Sequence, residues 1–272
     1  MPSFETPGRV ALDVSIPAGD VRVDTWAEAR VEVEVSAARA DEASRQAAAE
    51  TRIESVDRGG RHEISIRASK REGRLASFLG RGPELLVEIR CPEGADLELE
   101  TQSADLEARG PLGDVRARSA SGDVQIGPAE ALTLTTASGD LVAGAVGGSL
   151  SVKSASGDVA VRSVAESSTV NTVSGDVRIG DTAGTAAVNT VSGDVELDAA
   201  EGGVRVSAVS GDVHVAARHG LALWIDAQSV SGSITSDLDV GDTPAGETAT
   251  AELRIRTVSG DVRITRASDS RV

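Results

Sequence analysis

A chain of 272 residues with 40% hydrophobic residues can build a core, yet its aromatic content is 1%, with no Tyr, two Phe and two Trp. Aromatic rings supply the platforms on which sugars and bases stack. Their scarcity argues against a carbohydrate groove or a single-strand nucleic-acid track, and for a narrow core of Val, Ala, Leu and Ile. The net charge of −16 is concentrated from Asp96 onward, where 26 acidic residues face 13 basic ones; such a surface repels phosphate backbones and speaks against nucleic acid as a partner.

The chain begins without a basic-then-apolar leader, and no apolar run approaches the length of a membrane span, so a cytoplasmic protein is expected. Residues 10–16 alternate apolar and polar and lead into Ala18-Gly19-Asp20-Val21. Residues 31–35 alternate cleanly and read as a strand. Residues 41–51, rich in Ala, Glu and Arg, predict a helix with Asp41 as its N-cap. Residues 53–56, 62–67 and 84–89 read as further strands. Cys91, the single cysteine, excludes an internal disulfide and a multi-thiolate metal site, and its apolar neighbourhood predicts a buried structural thiol. Residues 1–95 therefore read as a β-rich cap with one helix, containing a degenerate first repeat and covering a rung whose open edge would invite aggregation. Within it, Lys70, Arg71, Arg74, Phe78 and Arg81 lie in a basic, partly apolar stretch between two predicted strands. That stretch reads either as a loop tucking Phe78 over the cap or as an interaction loop for a partner or an anionic membrane, the first being the simpler.

Residues 96–272 are dominated by Ser-Gly-Asp followed by an aliphatic residue. The Gly-Asp pairs are Gly122-Asp123, Gly139-Asp140, Gly157-Asp158, Gly175-Asp176, Gly193-Asp194, Gly211-Asp212 and Gly260-Asp261, and Ser231-Gly232-Ser233 is a variant. The Ser-to-Ser steps from Ser121 are 17, 18, 18, 18, 18, 21 and 28. A fixed period of this size predicts a stacked repeat. Counting from each Asp as zero, positions −8, −6, −3, +1 and +3 are apolar, with polar residues at −5 and +2. This period-two alternation gives each copy two short strands around the Ser-Gly corner. The pattern predicts an all-β fold, a parallel β-solenoid (β-helix) of ~18-residue rungs; crossover handedness makes it right-handed. The alternative is an antiparallel β-hairpin meander with Ser-Gly at each tip. Residues 241–247 read as an insertion loop, and residues 262–265 as the final strand, with polar residues solvating an open end.

The Ser-Gly-Asp corner has a complete structural reading: Gly for a positive φ, Ser and Asp for capping turn amides. Its rival is a column of carboxylates that binds a cation. Unit charges at rung spacing repel by about 1 kcal/mol in water, so each Asp must splay, accept an amide hydrogen bond or hold a counter-ion. Asn171 and Asn189 predict a short amide ladder. His62, His214 and His219 show no metal-ligand spacing, Trp26 and Trp224 read as packing or cap residues, and no nucleophile, acid–base pair or cofactor motif stands out.

With these repeats, Phe4-Glu5-Thr6-Pro7 and Ala18-Gly19-Asp20-Val21 in view, the chain resembles a bacterial family of β-strand-repeat candidate adhesins, the DUF4097-type domain of unknown function. The resemblance implies a β-helical, non-enzymatic protein without a cofactor, often membrane-anchored or encoded near envelope-stress systems. The expected role is a non-catalytic scaffold presenting an acidic face to a protein or envelope partner. The alternative is a cation- or polysaccharide-binding module using the Asp column.

Overall fold

A computed structural model describes residues 2–68, 82–238 and 250–267. Both the Lys70–Arg81 stretch and the 241–247 insertion lie outside the described residues. Contacts divide the chain into two compact units, Met1–Ala143 and Gly144–Val272.

The second unit shows the rung in its regular form. Strands Leu150–Ser154, Ser167–Asn171, Thr185–Ser192 and Val204–Ser210 form one parallel ladder; Val159–Val164, Val177–Thr182, Val195–Ala200 and Val213–Ala217 form the other. Partners sit one repeat apart, as Asn171 pairs with Asn189 and Val177 with Val195. Each repeat is thus one solenoid coil of two strands joined by the Ser-Gly-Asp corner, and the parallel register excludes the hairpin meander. The alternation explains the core. Val152, Val170, Val188 and Val206 (position −6) and Val159, Val177, Val195 and Val213 (position +1) point inward and are buried. Like residues stack on like along each column, which is why rung length is held nearly constant.

The first unit stacks in a different order from its sequence. The long strand Arg9–Trp26 is a full rung lying between two others. On one side it pairs, in parallel, with Asp96–Arg109; on the other with Arg61–Arg67 and Leu85–Pro92. The outer rung is then closed by antiparallel strands, Arg30–Ala37 on Leu85–Pro92 and Arg52–Asp57 on Arg61–Arg67. Reversing direction ends the stack, since an antiparallel strand cannot continue the coil. The helix Glu42–Glu50 packs here, with Asp41 accepting from the Ser44 amide at 2.7 Å and the Ser44 hydroxyl accepting from the Glu84 amide at 3.1 Å. Ile64, Ile66, Leu85 and Ile89 are consequently buried although their rung is near the end of its stack.

The C-terminal rung shows the same inversion of order. Strands Thr250–Ser259 and Val262–Arg266 lie between the 204–217 rung and the one built from Ala222–Ser231 and Ile234–Ser236. The last rung in sequence is therefore internal, not the solvated end expected of it; residues 222–236 form the outermost described rung. Nothing antiparallel covers that rung among the described residues, and Ile225, Ile234 and Trp224 stay substantially exposed.

Candidate functional site: the corner and its two faces

At the corner the chain must turn between two strands while every rung leaves room for the next. Gly175 does so with φ +119°, and a Cβ there would overlap the Gly157 carbonyl oxygen of the rung below. Positive φ recurs at Gly122, Gly139, Gly157, Gly193, Gly211 and Gly260. The residue at −4 locks the turn from inside: the Thr172 hydroxyl donates to the Ser174 carbonyl at 2.9 Å, Thr190 to Ser192 at 3.2 Å and Thr257 to Ser259 at 3.3 Å. These threonines are buried, with their one donor satisfied.

The aspartates form a relay rather than a cage. A carboxylate in one rung accepts the backbone N–H of the equivalent residue in the next. In the first unit Asp105 accepts from Asp123 at 2.8 Å and Asp123 from Asp140 at 3.0 Å. In the second, Asp158 accepts from Asp176 at 2.8 Å, Asp176 from Asp194 at 2.8 Å, Asp194 from Asp212 at 2.7 Å and Asp212 from Asp261 at 2.8 Å. Asp261 accepts from Ser233 at 2.8 Å. An amide dipole on each carboxylate offsets the repulsion along the column. The Ser233 amide and hydroxyl hold the Asp261 carboxyl below the usual range. The relay also accounts for the variant copy: Ser233 stands in the outermost described rung, where it donates an amide and has no described rung beyond it to serve.

Among the described residues no three His, Cys, Asp or Glu groups converge as a metal site. Asn189 donates to Asn171 at 2.9 Å, forming the amide ladder. The histidines stand apart: His62 is buried in the first unit, while His214 hydrogen-bonds the Thr265 hydroxyl at 3.0 Å and faces Glu196 at 3.8 Å. Glu196 is further engaged by Arg178 at 2.6 Å. Beside it, Asp198 sits in a shallow groove with Gly180, Ala216, Thr265 and Arg266, and partial burial followed by Glu196 raises its pKa. Two residues apart on one strand face, Glu196 and Asp198 escaped a sequence reading that looked for marked pairs.

The Cys91 thiol is buried, and desolvation followed by the charge of Asp24 pushes its pKa up to about 12, as suits a structural cysteine rather than a nucleophile. Trp26 packs under Arg30, whose guanidinium lies 4.9 Å from the ring centroid, and donates its ring N–H to the Arg30 carbonyl at 2.9 Å. Trp224, on the outermost described rung, lies under Arg254 at 5.8 Å but is otherwise open to solvent. No helix among the described residues is long and apolar enough to cross a membrane.

Parallel coils of two strands turned at a glycine corner define a β-solenoid repeat protein. The chain belongs to the Toastrack DUF4097 family, whose profile matches residues 11–265. No curated protein matches it. Among solved structures, a candidate adhesin from Parabacteroides distasonis shares the fold at TM-score 0.54 and 13% identity, covering 97% of this chain and 95% of that one. A candidate adhesin from Bacteroides fragilis aligns at TM-score 0.42 and 11% identity over 96% of this chain and 95% of that one. A candidate cell adhesion protein from Clostridium sporogenes aligns at TM-score 0.26 and 12% identity over 97% and 95%.

Proposed function

We propose that this protein is a non-catalytic, adhesin-like interaction module whose second unit presents its outward side-chain columns to a protein or envelope partner. The observation that carries this reading is the use of the repeat itself. The corner glycines, threonines and aspartates are consumed in setting rung length and phase, so the surface chemistry left to vary is the outward side of the coil. Family membership and the likeness to candidate adhesins support the same reading. The relay weighs against a cation module, because one oxygen of each of these carboxylates already accepts an amide proton.

Site-specific photo-cross-linking tests it. A photoreactive residue at Thr169, on the outer face of one ladder of the second unit, or at Arg162, on that of the other, should give cross-links in cells of the source organism that excess unlabelled protein competes away. Absence of any competable cross-link from positions on both outer faces would overturn the reading. Calcium titration should leave the melting temperature unchanged; a saturable rise would assign the Asp column to cation binding instead.

A further inference from the structure

At the corner of the second unit the inside–outside rule is inverted. Thr172, Thr190 and Thr257 point inward and are buried, whereas their neighbours Val173, Val191 and Val258 point outward at 52%, 49% and 49% exposure. Val209 at 49% and Val230 at 82% complete the column. The register stacks Ser192 on Ser210, Ser210 on Ser259 and Ser231 on Ser259, which brings the valines preceding those corners into one line. Five β-branched side chains at rung spacing span roughly 19 Å. Threonine would serve β-propensity equally well in such an outward position without exposing apolar surface. The buried threonine is explained by its bond to the corner carbonyl; burial does not explain the valine, which stays about half exposed or more.

The flanks of this stripe differ. Three residues on from Val173, Val191, Val209 and Val258 stand Asp176, Asp194, Asp212 and Asp261, an exposed acid column in the same register. On the other side, two residues back, run the uncharged Asn171, Asn189 and Ser207, then Arg256 and Gln228. Of the arginines nearest the acid column, Arg178 is held by Glu196, and Arg263 stands beside Asp261. A second copy laid antiparallel on this stripe would bring acid columns together, one laid parallel would set each acid column against a flank with the single cation Arg256, and an anionic lipid surface would be repelled. A basic partner suits both columns at once.

We infer that the Val173–Val191–Val209–Val258–Val230 stripe docks an amphipathic basic helix of a protein partner, its apolar face on the valines and its Lys or Arg edge along the aspartates. A helix of about 13 residues matches the length of the stripe. This rests on the interaction-module reading above and names the surface and the partner's chemistry.

The probe is a 14-residue amphipathic Lys/Leu helical peptide, fluorescently labelled and titrated with the whole chain; the control replaces every Lys by Glu. Saturable binding of the Lys peptide is expected, with the Glu peptide at least tenfold weaker. The triple variant V191T/V209T/V258T keeps β-branching and should weaken binding at least tenfold while circular dichroism and the melting temperature stay near those of the parent. D194N/D212N keeps an oxygen for the relay amides and should weaken binding three- to tenfold and flatten its salt dependence, a second route should the triple variant fail to fold. No saturable binding of the Lys peptide, equal binding by the folded triple variant, or sedimentation of the chain with phosphatidylserine vesicles as strong as peptide binding would each overturn the inference. Competable cross-links mapping away from the valine corner would overturn it while leaving the interaction-module reading intact.

Discussion

Replacing Gly175 by Ala tests the corner most directly. The backbone there has φ +119°, and the added Cβ would collide with the Gly157 carbonyl oxygen of the adjacent rung. Holding a non-glycine residue in such a region costs about 1–3 kcal/mol. Displacing one rung from the next to admit a methyl group adds about 1–3 kcal/mol, the scale of overpacking. The combined loss, about 2–6 kcal/mol, is a large fraction of a typical domain's stability. It should lower the melting temperature by roughly 5–20 °C. Gly203→Ala is the matched control in the same unit: its φ is not in the glycine-favouring region, and the nearest atom to its added Cβ is the Glu252 carbonyl oxygen at 3.7 Å, an ordinary contact. That variant should stay within about 0.5 kcal/mol of the parent. Thermal and urea melts followed by circular dichroism decide the matter. A Gly175→Ala protein that melts with Gly203→Ala would refute the stacking argument.

The relay predicts an asymmetry between rungs: Asp194→Ala should cost about 1 kcal/mol by removing the acceptor of the Asp212 amide, Asp194→Asn less, and Ser233→Asp close to nothing, as urea melts would show. Asp261 has a depressed folded pKa, so its contribution to stability is fully present above the ordinary carboxylate range and is lost as pH falls through the folded value. Carbon-13 titration of its carboxyl group should give a low midpoint that rises when the 233–261 contact is broken by Ser233→Pro. Asp198 is shifted the other way, so Asp198→Asn should raise stability at neutral pH by no more than about 0.5 kcal/mol after solvent screening, the gain vanishing as pH falls through the raised pKa. Cys91 should resist Ellman's reagent in the native protein and react promptly in urea; rapid native-state labelling would contradict its burial.

The regular rung was legible because its physics is local. Positions −6 and +1 alternate with polar neighbours, and a period of two with a glycine turn every eighteen residues leaves few arrangements. The helix over 42–50 with its Asp41 cap was legible for the same reason. The −3 position misled: valine there belongs to the apolar pattern but sits on the outer surface, because the chain has already begun its corner and the preceding threonine has taken the inward place. What Asp does was left among three alternatives by the sequence, since choosing among them requires the neighbouring amide.

Sequence alone determined the rung length, the glycine at each corner and the columns that fill the core, because stacking repeats impose the same local demand on every copy. Only the tertiary structure decided the order of the rungs. Arg9–Trp26 and the 250–266 strands are each inserted between two rungs that follow one another in sequence. A parallel rung can pair equally well with any compatible neighbour, so local pattern cannot specify which one it meets. Antiparallel strands close one stack, and the short links 93–95 and 218–221 carry the chain past the rung inserted at each place. The order of the rungs also decides that the single Ser-Gly-Ser copy is the outermost described rung of its stack, where a carboxylate has no further described amide to receive.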